Sequence, residues 1–193
     1  MTPVVMLEQC APQIAPVTLA AIVQQESGGN PLALHDNTSG KSYRPASVAE
    51  AARLTRELID RGHSVDIGLA QINSKNLHGL GLDVYQALDP CANLHAAQTV
   101  LMEGWKRSGD LRATLSEYNT GKLRSPVGMA YGEKVFGKAG VVVPAIPGGQ
   151  MARWAANGGS AAAALRPVRP VLAWTPQASP LAPQGGGLEV ALR

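Results

Sequence analysis

Helix start and stop signals recur through residues 1–143 and restrict the fold of this chain more than any other feature. Asp89 and Pro90 suit the cap and the first position of a helix, and Gly109 suits its end. Ser47 and Glu50 form an S-x-x-E capping box ahead of another helix. Strand-like alternation never extends beyond a few residues, so the pattern predicts an all-α fold. The predicted helices cover residues 16–27, 48–61, 83–88, 90–108, 111–120 and 127–137.

Three segments outside the predicted helices differ from them in composition. Residues 32–44 are rich in Asn, Thr, Ser and Gly and predict a loop or a small hairpin, whereas residues 66–73 predict a compact apolar turn or a short helix. Residues 144–193 hold seven of the 14 prolines and seven of the 21 glycines. We therefore expect a globular domain over residues 1–143 and a low-complexity, flexible Pro/Gly/Ala-rich tail over residues 144–193.

The charge distribution argues against a nucleic-acid partner. The net charge is +3, but residues 1–143 carry 13 Lys/Arg and 13 Asp/Glu, so the excess of positive charge belongs to the tail. No basic cluster resembles a phosphate-binding stripe. No stretch reaches the roughly 18 apolar residues that a membrane span needs. Glu8 and Pro12 interrupt the apolar N-terminal stretch, which is not a typical signal peptide.

Glu26 is the main candidate for catalysis. In the predicted helix, Leu19, Ile22, Val23 and Glu26 fall at i, i+3, i+4 and i+7, so the apolar face ends in a carboxyl group. Burial and the negative end of the helix dipole both favour the neutral, protonated form of such a group. A general acid must hold a proton before it can donate one. Alone, the pattern more often indicates a solvated Glu at a frayed helix end, and the residues further along the chain change that balance.

Cys10 and Cys91 are the two cysteines of the chain, and each lies near the end of a predicted helix. From the residues alone, they could form one disulfide or remain two buried free thiols. Their spacing does not fit a metal site, and we expect neither a metal nor a cofactor.

Four polar segments occur in an order that resembles a known family. The first begins at Glu26-Ser27, and the others are the segments 68–73 (GLAQIN), 118–121 (YNTG) and 131–135 (YGEKV). This order resembles the catalytic domain of the lytic transglycosylases, which share the goose-type lysozyme-like (SLT) fold. The hallmark of that family is Glu-Ser at a helix end, then a Gly-Leu-Met-Gln-like segment, then Ala-x-Tyr-Asn-x-Gly.

A narrower resemblance is to the small transglycosylases of type IV secretion systems. It rests on Cys10-Ala11-Pro12, on residues 20–28 (AAIVQQESG) and on residues 89–94 (DPCANL), and it covers about residues 7–137. The resemblance implies an all-α, lysozyme-like domain that cleaves the β-1,4 bond between N-acetylmuramic acid and N-acetylglucosamine of peptidoglycan. The product would carry a 1,6-anhydro end, because one Glu first donates a proton and then accepts one from the 6-hydroxyl of the sugar.

The resemblance also assigns roles to residues of this chain. Glu26 is the implied catalytic acid and base, Ser27 orients Glu26 or the glycan, and Tyr131 closes the cleft. The residues implied to contact or surround the sugar are Gln71, Asn73, Tyr118 and Asn119. A neutral groove of hydroxyls and amides suits an uncharged glycan strand and does not suit a phosphate polymer.

The resemblance favours a Cys10–Cys91 disulfide, which would agree with a periplasmic location and a cell-wall substrate. The implied partners are the peptidoglycan glycan strand and, through the tail, components of the secretion apparatus. Two alternatives stay open. A hydrolase on the same fold could use Asp36, Asp66 or Glu117 as its second acid. A non-catalytic assembly factor would only hold the glycan.

Overall fold

The computed structural model describes residues 3–139, 141–142 and 153–154. The prediction of an all-α, lysozyme-like fold is confirmed, with a small sheet in addition. The helices within the described residues are α1 (Pro3–Cys10), α2 (Pro16–Glu26), α3 (Val48–Asp60), α4 (Leu77–Leu80), α5 (Val84–Leu88), α6 (Pro90–Ser108), α7 (Leu111–Thr120) and α8 (Pro126–Lys138). The sequence reasoning did not anticipate α1. Every described helix is too short or too polar to cross a bilayer.

The small sheet contains β1 (Leu34–Asp36), β2 (Lys41–Tyr43), β3 (Val65–Ile67) and β4 (Ile72–Asn73) in the order β2-β1-β3-β4, with every neighbouring pair antiparallel. Within residues 66–73, predicted as an apolar turn or a short helix, a turn occupies residues 68–71, but the strands β3 and β4 on either side of it were not predicted. All residues of β3 and β4 are buried, and strands of two or three residues leave no alternation in the sequence.

The longest helix, α6, lies at the centre of the domain and contacts α1, α5 and α7. Its bounds and its cap are as predicted, since the Asp89 carboxylate accepts a hydrogen bond from the Ala92 amide at 2.8 Å. In turn, α8 packs against both α7 and α2. This arrangement brings the end of α2, which carries Glu26, close to α8.

The predicted tail lies outside the described residues, apart from Arg153–Trp154. That segment forms the two-residue strand β6, which pairs in antiparallel fashion with β5 (Val141–Val142). The flexible tail over residues 144–193 therefore stays a prediction.

A disulfide joins Cys10 at the end of α1 to Cys91 at the start of α6. The two Cα atoms are 5.0 Å apart, and the two residues are separated by 81 positions in the sequence. The bond closes a loop that contains the four-stranded sheet and the helices α2 to α5. It therefore fixes the amino-terminal segment to the central helix.

We expect the free energy of unfolding of the Cys10→Ser/Cys91→Ser variant to be about 3 kcal/mol lower than that of wild type. The disulfide restricts the unfolded chain, so an unfolded chain without it has more conformational entropy and is favoured more. Urea unfolding followed by circular dichroism will measure the loss. Wild-type protein reduced with dithiothreitol should lose the same amount. Equal stability of the oxidised protein and the variant would contradict the prediction.

Asp36 ends β1 and organises the turn that leads to β2. Its carboxylate is buried and accepts hydrogen bonds from the Thr38 amide (2.9 Å), the Ser39 amide and hydroxyl, and Nδ1 of His63 (2.8 Å). Burial alone would raise the pKa of Asp36. The hydrogen bonds from Ser39, His63 and the two amides outweigh that effect and lower the pKa from 3.8 to about 2.

This lowered pKa predicts acid sensitivity. Because the pKa of Asp36 is lower in the folded protein than in the unfolded chain, its contribution to stability is complete above about pH 4 and disappears as the pH falls through about 2. The unfolding free energy of Asp36→Asn should therefore depend less on pH in this window than that of wild type. Urea unfolding at several pH values will test this, with Asp60→Asn at the exposed end of α3 as the control. If the free energy of unfolding changes with pH by the same amount in wild type and in Asp36→Asn, the prediction is wrong.

Candidate active site

Glu26 is the last residue of α2 and lies partly exposed at the end of a buried helix face. Ile22 and Leu19, one and two turns earlier on that face, are fully buried. Their burial fixes the direction of α2 and with it the position of the Glu26 carboxyl group. The predicted placement of an acid at the end of an apolar helix face is therefore observed.

Ser27 closes the end of α2. Its amide and its hydroxyl both donate to the Val23 carbonyl, at 3.0 Å and 3.2 Å, and its hydroxyl accepts from the Gly29 amide at 3.1 Å. The side chain is thus engaged with the backbone that turns away from Glu26. This geometry supports a role for Ser27 in orienting Glu26, whereas direct contact with the glycan stays a prediction.

Tyr131 of α8 contacts the carboxyl group of Glu26 directly. Its hydroxyl donates to Oε1 of Glu26 at 2.6 Å, although the two residues are 105 positions apart in the sequence. Gly128, one turn earlier in α8, permits this approach because a Cβ atom there would lie 2.2 Å from the Ser116 hydroxyl and 2.6 Å from its backbone. Close packing of α7 and α8 thus places Tyr131 at the carboxyl group.

Tyr118 and Asn119 lie in the last turn of α7. The buried Tyr118 hydroxyl donates to the Ala70 carbonyl at 2.6 Å and so ties α7 to the turn that precedes Gln71. Asn119 is partly exposed, and within the described part of the chain its side chain makes no hydrogen bond. Its amide can therefore meet a substrate without breaking an internal contact.

Gln71 lies in the tight turn between β3 and β4. Its φ of 52° is in the left-handed region, which a residue with a side chain rarely adopts and which typically costs on the order of 1–3 kcal/mol. The side-chain amide Nε2 stabilises this conformation by donating to the carbonyls of Gly68 (2.8 Å) and Ala33 (3.0 Å). Such strain is typical of residues that a functional site holds in place.

Asn73 of β4 lies in a buried network. Its Nδ2 donates to Oδ1 of Asp66 at 2.8 Å and to the Ser64 hydroxyl at 2.9 Å, and its Oδ1 accepts from the Lys75 amide at 3.0 Å. The residue is 1% exposed. These contacts support a role in holding the sheet next to the site, and the predicted contact of Asn73 with the sugar stays untested.

Asn93 of α6 is a residue that the sequence reasoning missed. It is 1% exposed, its Oδ1 accepts from the Ala70 amide at 2.8 Å, and its Nδ2 donates to the carbonyls of Ile67 (2.8 Å) and Ala87 (2.7 Å). It therefore fixes the turn that carries Gln71 to the central helix. The available signal was a polar residue on the buried stripe of α6, next to Leu94.

The three carboxyl groups considered as a second acid are all engaged within the protein. Asp36 and Asp66 hold the turn and the sheet through the contacts described above. Oε1 of Glu117 accepts from Nε of Arg107 at 3.0 Å, while its Oε2 is buried beside Gly104 of α6 with no hydrogen-bond partner among the described residues. Within the described residues, no three His, Cys, Asp or Glu side chains form a group that could bind a metal ion.

The geometry thus consists of a carboxyl group at the end of α2 with a tyrosine hydroxyl hydrogen-bonded to it. The Transglycosylase SLT domain family matches residues 4–131, and the chain belongs to this family.

Protein virB1 of Agrobacterium fabrum is 41% identical over 143 residues, which cover 70% of this chain and 58% of that protein. Protein virB1 of Rhizobium radiobacter is 39% identical over 145 residues, covering 72% of this chain and 61% of that protein. The type IV secretion system protein virB1 of Brucella suis is 34% identical over 174 residues, which cover 83% of this chain and 73% of that protein. The chain thus spans about three fifths of the length of the first two relatives. No solved structure matches it.

Proposed function

We propose that this protein is a peptidoglycan lytic transglycosylase that cleaves the β-1,4 bond between N-acetylmuramic acid and N-acetylglucosamine and leaves a 1,6-anhydro end. The observation that carries the proposal is the 2.6 Å hydrogen bond from Tyr131 to Glu26. Membership of the transglycosylase family supports the same reaction class.

In the first step, Glu26 acts as the general acid. Because Oε1 accepts from Tyr131, a proton on this carboxyl group resides on Oε2, from which it passes to the glycosidic oxygen of the leaving N-acetylglucosamine. The bond from that oxygen to the anomeric carbon breaks. The carbonyl oxygen of the muramic acid's own N-acetyl group attacks the anomeric carbon and supplies the electron pair that a second enzyme carboxylate would otherwise provide.

In the second step, the Glu26 carboxylate acts as the general base. It removes the proton from the 6-hydroxyl of the same sugar, and this oxygen displaces the N-acetyl oxygen from the anomeric carbon. The 1,6-anhydro ring closes, the N-acetyl group is restored, and Glu26 regains its proton. Between the steps the Tyr131 hydroxyl stabilises the carboxylate by a charge-assisted hydrogen bond.

The internal contacts of the other acids favour this reaction over hydrolysis by two carboxylates. A glycosidase of that kind needs a second carboxyl group that can move to the anomeric carbon or activate water. Asp66 binds Asn73, and Glu117 binds Arg107. Releasing either group would leave a buried or paired partner unsatisfied.

Digestion of purified peptidoglycan by the full chain, followed by mass spectrometry of the products, tests the proposal. We expect muropeptides with 1,6-anhydro ends and no increase in reducing ends. Reducing-end products would identify a hydrolase, and an absence of cleavage at any enzyme concentration would favour a module that only binds glycan.

The proposed setting is the periplasm, where local opening of the cell wall makes room for a type IV secretion or conjugation apparatus. The name of the Brucella suis relative, a type IV secretion system protein, supports this setting. The Cys10–Cys91 disulfide supports an oxidising compartment. The tail is proposed to contact components of the apparatus. Deleting residues 145–193 should leave wall cleavage intact while partner binding disappears.

Tyr131→Phe should lower kcat about tenfold to a hundredfold with little change in KM, because it removes one charge-assisted hydrogen bond to a carboxylate that forms only during the reaction. Steady-state kinetics on soluble glycan strands will measure the effect. Tyr85→Phe on the exposed surface of α5 provides the matched control. A Tyr131→Phe enzyme with unchanged kcat would remove this contact from the mechanism.

A further inference from the structure

Positive charge is concentrated in one part of the domain, a feature that its neutral total conceals. Residues 122–138 carry four Lys/Arg and one Asp/Glu, whereas residues 1–121 carry nine Lys/Arg and twelve Asp/Glu. The four cations are Lys122, Arg124, Lys134 and Lys138. All four are exposed in the turn between α7 and α8 or on α8 itself.

Within the described residues, these four side chains have no carboxylate within ion-pair distance. Some other cations of the domain have one, since Arg107 pairs with Glu117 and Arg112 pairs with Glu133 at 2.7 Å, whereas others such as Lys41 and Lys75 also lack one among the described residues. The pairing with Arg112 also neutralises the acid of residues 122–138. What distinguishes the four cations is therefore their concentration in residues 122–138, where no unpaired carboxylate offsets them.

The position of two of these cations follows from helical spacing. Val127, Tyr131, Lys134 and Lys138 fall at i, i+4, i+7 and i+11 of α8, so they form a single stripe along the helix. Tyr131 lies at the buried edge of this stripe and reaches Glu26. Lys134 and Lys138 thus lie about one and two turns along α8 from the residue that contacts Glu26.

The other two cations lie in the turn that follows Asn119. Arg124 has a φ of 56°, an uncommon value for a residue with a side chain. The turn is held by Ser116, whose hydroxyl donates to the Lys122 carbonyl at 2.8 Å and accepts from the Ser125 amide at 3.0 Å. Lys122 and Arg124 therefore lie on a turn that Ser116 holds in place and that directly follows α7.

We infer that Lys122, Arg124, Lys134 and Lys138 form a cationic border that binds the carboxylates of the short peptides attached to the muramic acid of the substrate. This inference rests on the proposed function. Sugars are uncharged, and the residues assigned to them here are amides and hydroxyls. The attached peptides carry free carboxylates, and extended peptides with several carboxylates match a row of unpaired cations.

An anionic lipid surface fits the border less well. An interfacial helix inserts a wide apolar face into the membrane. The apolar face of α8 is buried against α2 and α7, and only Leu123 (37% exposed) and Val127 (69% exposed) remain as large apolar groups near the cations. The structure thus favours a charged peptide over a membrane.

Isothermal titration of the full chain carrying Glu26→Gln tests the inference without requiring turnover. The probes are the disaccharide–tetrapeptide of peptidoglycan, the same compound with its carboxylates amidated, and the disaccharide alone. We expect the carboxylate form to bind about tenfold more tightly than the other two, as charge-assisted contacts imply. Added salt should reduce the difference.

Adding Lys134→Gln/Lys138→Gln should remove most of this difference. The control Arg53→Gln/Lys106→Gln removes the same charge from exposed ion pairs elsewhere and should preserve it. Equal affinity for all three probes would overturn the inference, as would a difference that survives the Lys134/Lys138 change. Vesicles containing phosphatidylglycerol that bind through these lysines, with no preference among the probes, would overturn it in favour of a membrane. If wild type does not cleave cell walls but the Glu26→Gln chain still binds the carboxylate probe more tightly than the other two, only the proposed reaction is refuted.

Discussion

Glu26→Gln is expected to lower the rate of peptidoglycan cleavage by at least about a thousandfold, because general acid and general base catalysis each contribute about 10²–10⁴-fold and both depend here on one carboxyl group. Gln has the size of Glu, but it can neither give up a proton to the leaving oxygen nor accept one from the 6-hydroxyl. Release of soluble muropeptides from purified cell walls will measure the loss.

The fold of this variant should be unaffected. The Tyr131 hydroxyl can still donate to the amide oxygen of Gln at position 26, so the contact between α2 and α8 persists. Equal melting temperatures would show this. Glu57→Gln, which changes an exposed Glu of α3 paired with Arg53, is the matched control and should retain full activity. A Glu26→Gln enzyme that keeps more than a tenth of the wild-type rate would exclude Glu26 as the acid.

The helices could be predicted from the sequence because their signals are local. Asp89, Asp110 and Ser125 each accept a hydrogen bond from a backbone amide three residues later, and each of the three helices begins within a residue of its predicted start. The β1–β2 hairpin lies in the segment predicted as a loop or a small hairpin, whereas β3 and β4 could not be predicted, because they are short and buried. The order of β1 and β3 depends on the contact of Leu34 with Ile67, which are 33 positions apart.

In the candidate site, too, some features follow from the local sequence and others depend on how the helices pack. The position of Glu26 at the end of an apolar face follows from the spacing within α2. The bond from Tyr131 to Glu26 depends on how α8 packs on α2, and no local pattern encodes that packing. The motifs singled out Gln71 and Asn73 as sugar-binding residues, but their side-chain contacts with backbone carbonyls and with Asp66 become visible only in the folded chain.

Asn93→Ala is expected to lower the free energy of unfolding more than any other single substitution proposed for this protein. It removes three buried hydrogen bonds and leaves the Ala70 amide and the carbonyls of Ile67 and Ala87 without their partner. Each orphaned buried group costs about 1–3 kcal/mol, so we expect a loss on the order of 5 kcal/mol in the free energy of unfolding. Urea unfolding followed by circular dichroism will measure it.

The same change should also impair the site, because Asn93 holds the turn on which Gln71 adopts its strained conformation. Gly68 in that turn has a φ of 80°, and a Cβ atom there would lie 2.6 Å from Nδ2 of Asn93, so turn and helix are fitted to each other. His95→Ala, at an exposed position of α6, is the control and should change stability by no more than about 0.5 kcal/mol. If Asn93→Ala unfolds at the same urea concentration as His95→Ala, the turn is held by its own backbone hydrogen bonds, and α6 does not position the site.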